Sequence, residues 1–442
     1  MNASQLIIVF SEDGAVHIDN TGEKSEANLT LTHGGSEGIL QEQISGYMDN
    51  SLFWIVSGLL NRVINDGDVI TKPEYIRYGL EVAEVIVSRG YNFGDSEGVR
   101  VGDEEISYRN WPMFPIPQDI KDDWTIANDV GDKQLQDVAF DYVQKGAEVI
   151  DGLPQLKLGA LITVDRWEIE AYQNIRTLIL GYANGESTRP LSIAVFGSPG
   201  SGKSFGVTEI AKNIMPGKIE KLEFNVSQFT GLSDLGIAFQ KVRDTILGGK
   251  LPLVFFDEFD SDRDGRPLGW VKSFLMPMQD GKFRDDSGEH PLGRCILVFA
   301  GGTAATFEEF VSQDNDFKNI KGPDFVSRLR GTINILGPNQ KSDNDKNYIL
   351  RRAILIRSLC ERDKRLKFTG DIAPISPNII RAMLHVPEYK HGARSMEAIL
   401  DMSNIESNSW EPASLPSHSQ LLLHVDAGAF INLVLDTKED PK

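Results

Sequence analysis

Apolar and polar positions follow two different rhythms along the chain, and the change comes at Leu191. Before it, "LQEQISGYMDNSLFWIVSGLLNRVI" and "YIRYGLEVAEVIVSRG" place apolar residues at helical spacing, after a strand-like opening at "SQLIIVF". "PMFPIP" is too rich in proline for a helix and predicts an extended or irregular segment. A connecting helix is predicted around Val138 to Val149. "LPQLKLGALITVDRWEIEAYQNIRTLILGY" then predicts a strand or loop followed by a helix, closed by the polar turn "ANGESTRP". From Leu191 onward, short runs that are apolar throughout alternate with amphipathic stretches. "LSIAVF", "IEKLEFNV", "LPLVFF", "CILVFA" and "TINIL" predict five strands, with helices between them. Strands apolar on both faces predict a parallel sheet covered by helices, an α/β core. Beyond Gly337 the pattern becomes mainly helical to about Met402, and "SQLLLHVDAGAFINLVL" fits strand or helix equally. The expected division is 1–150 as an acidic α+β N-terminal domain, 151–338 as the α/β core, 339–405 as a helical lid and 406–442 as a tail.

Composition narrows the class. The 442 residues are 40% hydrophobic and 25% charged, ordinary for folded protein. No apolar run approaches the ~20 residues that span a bilayer, and the opening reads as a strand rather than a signal peptide. Cys295 and Cys360 lie in no CxxC or Cys/His cluster, so neither structural zinc nor a disulfide framework is expected; a reducing cytoplasm fits. The net charge of −19 is uneven. Residues 1–150 hold 26 acids against 10 bases, and the remainder 38 against 35. An acidic front repels phosphate backbones and argues against a nucleic-acid grip. It serves solubility, or docks a basic partner.

The candidate chemistry sits where the first core strand ends. Gly197, Ser198, Pro199, Gly200, Ser201, Gly202, Lys203 and Ser204 fit G-x-x-x-x-G-K-[ST], and Phe205 continues into the predicted helix. The glycines let successive N–H groups turn toward phosphate oxygens, and the following helix presents its positive end to the same anion. Lys203 would neutralise the β- and γ-phosphates and Ser204 would ligate Mg²⁺. "LPLVFFDEFD" delivers Asp257 and Glu258 at a strand's C-terminal edge, where open α/β sheets place ligands. Asp257 would hold Mg²⁺, directly or through water, and Glu258 would orient and polarise the attacking water. Asp260, Asp262 and Asp264 look like the start of a calcium loop, but position twelve is Val271, which rules that out.

With these motifs in place, about Leu161 to Met402 resembles AAA+ ATPases, and more narrowly the Clp-type unfoldases of the ClpX and HslU branch. "FLMPMQDGKFRDDSGEHPLGRCILVFAGGT" resembles that branch's hairpin and sensor-1 strand. The sensor candidates there are Gly301, Gly302 and Thr303, and only Thr303 has a side chain able to hydrogen-bond a water or phosphate. "GPDFVSRLRGTINI" resembles the segment before the fifth strand, which implies Arg328 as an arginine finger reaching a neighbour's γ-phosphate, with Arg330 as second candidate. "KHGARSMEAIL" resembles the sensor-2 Gly-Ala-Arg and implies that Arg394 touches the nucleotide from the lid; His391 reads as structural. The pore loop of AAA+ translocases maps onto Phe229, Thr230 and Gly231. Thr230 departs from the usual aliphatic residue there, and Phe229 reads equally as core. Position beside the phosphate loop implies that Ile162 and Val164 cradle adenine. No cysteine cluster matches the zinc-binding head of ClpX, no peptidase-docking loop is matched, and residues 1–150 match nothing.

The resemblance implies ATP and Mg²⁺ as cofactors, a homo-oligomer (a hexamer), and a protein substrate or partner met through the acidic N-terminal domain. One function is therefore an ATP-driven ring that remodels or unfolds protein. Another is a regulatory nucleotide switch whose N-terminal domain senses a ligand or partner. A DNA-handling motor is disfavoured: the best basic stretch, "RRAILIRSLCERDKRLK", spreads its charges around a helix.

Overall fold

The computed structural model describes residues 5–10, 14–20, 26–31, 113–115, 132–150, 153, 155–198, 200–285, 288–312, 314–406 and 408–436. They fall into two compact units, one of residues 1–132 and 147–157, the other of residues 133–146 and 158–442. In the first unit, β1 (Gln5–Phe10), β2 (Gly14–Asp19), β3 (Glu26–Leu31) and β4 (Met113–Pro115) form an antiparallel sheet in that order. The opening strand is where the sequence places it, and Met113–Pro115 of the proline segment is extended, the rest of that segment lying outside the described residues. The helices expected over 40–64 and 75–90 lie outside the described residues.

The second unit starts with α1 (Asp132–Lys145), which sits several residues ahead of the expected 138–149. Gly146 ends it at φ +92°, its N–H donating to the Tyr142 carbonyl at 2.9 Å, and only a short 3₁₀ turn continues the chain. Residues 147–157 belong to the first unit; the chain returns to the second at the end of β5 (Leu156–Leu158), and β6 (Leu161–Thr163) then precedes α2 (Arg166–Asn184). Asp165 caps α2 by accepting from the Trp167 N–H, which satisfies a donor that the first turn leaves free.

The core sheet is built from β7 (Leu191–Gly197), β8 (Ile219–Asn225), β9 (Leu251–Asp257), β12 (Ile296–Ala300) and β13 (Gly331–Ile335). All pairings are parallel and the order is β13-β7-β12-β9-β8. Helices α3 (Lys203–Ile214) and α4 (Leu232–Leu247) join the first three strands in sequence. The five-stranded parallel sheet covered by helices is the architecture that the all-apolar runs predict. The helix expected over 269–279 begins as a 3₁₀ turn and is α-helical only in α5 (Leu275–Asp280). A hairpin, β10 (Lys282–Asp285) and β11 (Gly288–Pro291), separates it from β12. Three short helices, α6 (Phe307–Val311), α7 (Asp314–Asn319) and α8 (Gly322–Val326), precede β13.

Aromatic packing fills one side of this sheet. Phe256, Phe259, Phe274 and Phe299 are buried completely. Phe259 stacks nearly parallel on Phe325 of α8, with ring centroids 5.3 Å apart, and meets Phe299 edge-on at 5.6 Å. Pairs of this kind contribute about 0.5–1.5 kcal/mol beyond the area they bury.

After β13 come α9 (Tyr348–Arg362), α10 (Pro377–His385), α11 (Ala393–Asp401), α12 (His418–Leu421) and α13 (Ala427–Leu435). The ambiguous tail is thus helical, and Asp426 starts α13 by accepting from the Ala429 N–H. Among the described residues, no helix is long and apolar enough to cross a membrane.

Candidate active site

Strand register brings the candidate residues to one edge. Gly197 lies opposite Ile335, and Asp257 lies opposite both Ala300 and Asn225. Every residue of β7 is buried, and the glycine-rich loop begins at its last residue, Gly197. There Gly200 and Gly202 adopt φ of +76° and +82°, a conformation that costs a residue with a β-carbon roughly 1–2 kcal/mol. Gly202 caps α3 and offers no side-chain acceptor, so the N–H groups of the first turn face the loop. Lys203 donates to the Gly197 carbonyl at 3.1 Å. Burial lowers its pKa, while Asp257, Asp260 and Glu258 pull it back up. Ser204 accepts from Lys221 Nζ at 3.4 Å, and Lys221 is paired with Glu223 at 2.6 Å. Phe205 is about half exposed. Pro199 lies outside the described residues.

Asp257 is the last residue of β9 and Glu258 follows it. Asp257 is half-buried, and its carboxyl is raised above the usual range by that burial, with Lys203 opposing the rise. Glu258 has φ +54°, an αL conformation rare for a residue other than glycine, which costs of order 1–3 kcal/mol and persists only where its surroundings enforce it. They do so closely. The Ser261 N–H donates to the Glu258 carbonyl at 3.0 Å, and a β-carbon on Gly302 would stand only 2.8 Å from Glu258 Cγ. Asp260 is fully buried. It accepts from the Gly302 N–H at 2.7 Å, the Thr303 N–H at 2.9 Å and the Thr303 hydroxyl at 2.6 Å. Thr303 therefore stands at the predicted strand end with its hydroxyl proton committed to Asp260. In the sequence Asp260 stands out only as part of the excluded calcium loop. Its burial and its partners 42 and 43 residues away leave no local trace.

The helical segment contributes Arg394 near the start of α11. A β-carbon on Gly200 would lie 2.6 Å from Arg394 Cγ and 3.0 Å from the His391 carbonyl, so this turn lies against the glycine-rich loop. The His391 N–H is satisfied by Ser395 Oγ at 3.0 Å. Arg328 donates to the Asp324 carbonyl one turn back and to Ser327 Oγ at 3.4 Å, and its side chain is 23% exposed. Arg330 is exposed, and its N–H anchors the chain to the Ser192 carbonyl at 2.9 Å.

Of the two residues expected to cradle adenine, Ile162 is half-buried and Val164 is buried. The flanking polar residues form a network that spacing could not reveal. Arg351 of α9 bridges Asp165 at 2.8 Å and Asp345 at 2.6 Å, and donates to the Gly337 carbonyl. Glu168 accepts from Thr163 Oγ1 at 2.8 Å and from the Leu336 N–H at 3.0 Å, and its pKa is raised by burial.

The expected pore triplet performs a visible local task. Thr230 gives both its N–H and its hydroxyl to Asp234, at 2.6 and 2.7 Å, and the Gly231 N–H adds a third bond at 3.2 Å. These bonds start α4 and hold the Asp234 carboxyl below its usual range. Phe229 is half-buried and meets Trp270 edge-on at 5.7 Å.

The loop suits a nucleotide phosphate. Ser201 Oγ is buried without a hydrogen-bond partner among the described residues, α3 opens uncapped, and a lysine lies beside both. Among the described residues, no group of three or more His, Cys, Asp or Glu could by itself hold a metal ion. Mg²⁺ needs no such cage, since it commonly takes one or two protein oxygens plus phosphates and water.

No protein-family model matches the sequence, and no curated protein matches it. Among solved structures the chain is similar to NtrX from Brucella abortus in complex with ADP, at 12% identity and a TM-score of 0.38, over 64% of this chain and 57% of that one. It is similar to ORC2 from Aeropyrum pernix in its ADPNP–ADP complexes, at 12% identity and a TM-score of 0.38, over 62% and 70%. It is also similar to Hsp104 with ATPγS and FITC-casein, at 15% identity and a TM-score of 0.36, over 54% and 45%. The chain thus spans little more than half the length of that NtrX structure, and likenesses at these scores do not bear on activity.

Proposed function

We propose that the chain is a Mg²⁺-dependent ATPase of the AAA+ type that assembles into a ring and remodels protein substrates. The observation that carries this reading is the meeting of three segments at one sheet edge: the phosphate loop with Lys203, the Asp257–Glu258 turn, and Arg394 packed on Gly200. In this reading the loop N–H groups and Lys203 bind the β- and γ-phosphates. Ser204 and Asp257 hold the metal, which supplies charge neutralisation at the phosphates. Glu258 orients the attacking water and accepts its proton, so that ATP and water become ADP and phosphate. Arg394 contacts the nucleotide from the lid, and Arg328 serves the site of a neighbouring copy, which makes assembly, a hexamer by resemblance, a condition of full activity. The acidic N-terminal unit receives the protein partner.

A second reading, a nucleotide-dependent assembly switch, is favoured by one observation. Phe229 is engaged with Trp270 and Thr230 with Asp234, which suits a helix start better than a loop gripping substrate.

The test is ATP binding and turnover of the full chain beside Lys203→Ala and Glu258→Gln, with and without an unfolded protein. Loss of binding in the first and binding without turnover in the second are expected, and an unfolded protein should stimulate the wild type. Unchanged ATP affinity in Lys203→Ala refutes the site. Turnover indifferent to unfolded protein selects the switch.

A further inference from the structure

We infer that Asp260 is the positioning residue of the hydrolytic site, clamping the end of β9 to the end of β12 so that Glu258 is held in its αL turn against Gly302. This inference rests on the ATPase reading and adds a residue that the reading does not use.

Three features carry it. First, Asp260 is fully buried and spends both carboxylate oxygens on one short segment. Oδ1 takes the Gly302 N–H and Oδ2 takes the N–H and hydroxyl of Thr303. A buried carboxylate with three donors is a strong, directional tie. Second, the tied segment is what Glu258 rests on. The surface of Gly302 leaves no room for a β-carbon beside Glu258, and Glu258 sits at φ +54° with no glycine to ease it. Third, Phe259, between the two acids, is buried in the aromatic core, so the turn is fixed from both sides. Thr303 then acts through Asp260 rather than on the nucleotide, because its one hydroxyl proton is spent there.

The geometry makes Asp260→Asn informative. The amide keeps the shape but removes one acceptor, and its NH₂ would face the Thr303 N–H, donor against donor. Misplacing a catalytic group by ~1 Å can cost on the order of 100-fold. In the full chain with ATP and Mg²⁺, Asp260→Asn is expected to lower kcat by ~30–100-fold while the Kd for a fluorescent ATP analogue stays within ~3-fold. Thr303→Val is expected to lose ~3–10-fold in kcat and Thr303→Ser to recover to within ~2-fold. Because Asp260 and Thr303 share a bond, the double variant Asp260→Asn with Thr303→Val should be no slower than Asp260→Asn alone.

Turnover by folded Asp260→Asn within ~3-fold of wild type overturns the inference. So does a loss of ATP affinity that keeps step with the loss of kcat. If Asp260→Asn does not fold, the Thr303 pair decides: Thr303→Val at the wild-type rate sinks the proposal, and a loss rescued by serine supports it. Failure of the underlying reading looks different. Wild type that neither binds nor hydrolyses ATP overturns both, whereas wild-type turnover with an indifferent Asp260→Asn overturns only the role given to Asp260.

Discussion

Arg394 lies across Gly200: the space for a β-carbon at position 200 is already taken by Arg394 Cγ, 2.6 Å away. The phosphate loop and the helical segment thus touch at a residue that cannot grow. Gly200→Ala combines this collision with an unfavourable φ, together worth roughly 1–2 kcal/mol or more. ATP affinity should fall by ~10-fold, which titration with a fluorescent analogue reads directly. Arg394→Ala on top of Gly200→Ala should restore part of the stability seen by thermal melting, since it removes the collision with the arginine side chain but neither the close approach to the His391 carbonyl nor the strain.

Glu258→Gln should bind ATP and retain it, because the amide keeps the size of the side chain and loses the base. Its mass in solution, with and without ATP and Mg²⁺, then tests the role given to Arg328. A rise to about six subunits on nucleotide addition supports a finger shared between copies. A monomer in both conditions leaves Arg328 without a partner and favours the switch.

Phe229→Ala should lower thermal stability by an amount equivalent to about 1–2 kcal/mol, since the ring is half-buried and loses its edge-on contact with Trp270. Phe229→Leu should recover most of that stability. Stimulation of turnover by unfolded protein, measured on the leucine variant, separates gripping from packing: intact stimulation removes the aromatic from the grip.

Glu168 predicts a pH signature. Its folded-state pKa is raised, chiefly by burial. The folded form therefore holds the proton more tightly than the unfolded chain does. The resulting stabilisation is complete below the unfolded carboxyl value of about 4.3 and disappears as pH rises through the raised value. Gln is close in size to the protonated acid and does not titrate; its oxygen can accept from the Leu336 N–H, while its NH₂ would face Thr163 Oγ1, which must then turn from donor to acceptor. The melting temperature of wild type relative to Glu168→Gln should thus be greatest in acid and should fall with rising pH. A difference independent of pH refutes the assignment.

What the sequence disclosed follows from how far apart cooperating residues lie. The phosphate loop is contiguous, and its glycines, lysine and serine announce their geometry in order. Asp257 and Glu258 were legible because an all-apolar strand has one place to end. Asp260 was not, because its meaning depends on the register between β9 and β12, which local spacing does not encode. Arg351 and Asp165, 186 residues apart, were invisible for the same reason, and Arg351 was read only as one charge on a helix face. Phe229 shows the opposite failure. Its local pattern matched two roles, and the partner that distinguishes them, Trp270, lies on another segment. The tail was undecided because its apolar run fits both periods until Asp426 is seen to cap a helix.

The Phe259–Phe325 stack has a mechanical consequence. Glu258 is the neighbour of one ring, and Arg328 follows the other by three residues. The stack thus ties the turn that carries Glu258 to the short helix that precedes Arg328, two segments far apart in the chain. A substitution that removes either ring would loosen both segments at once, although neither is a sequence neighbour of the other.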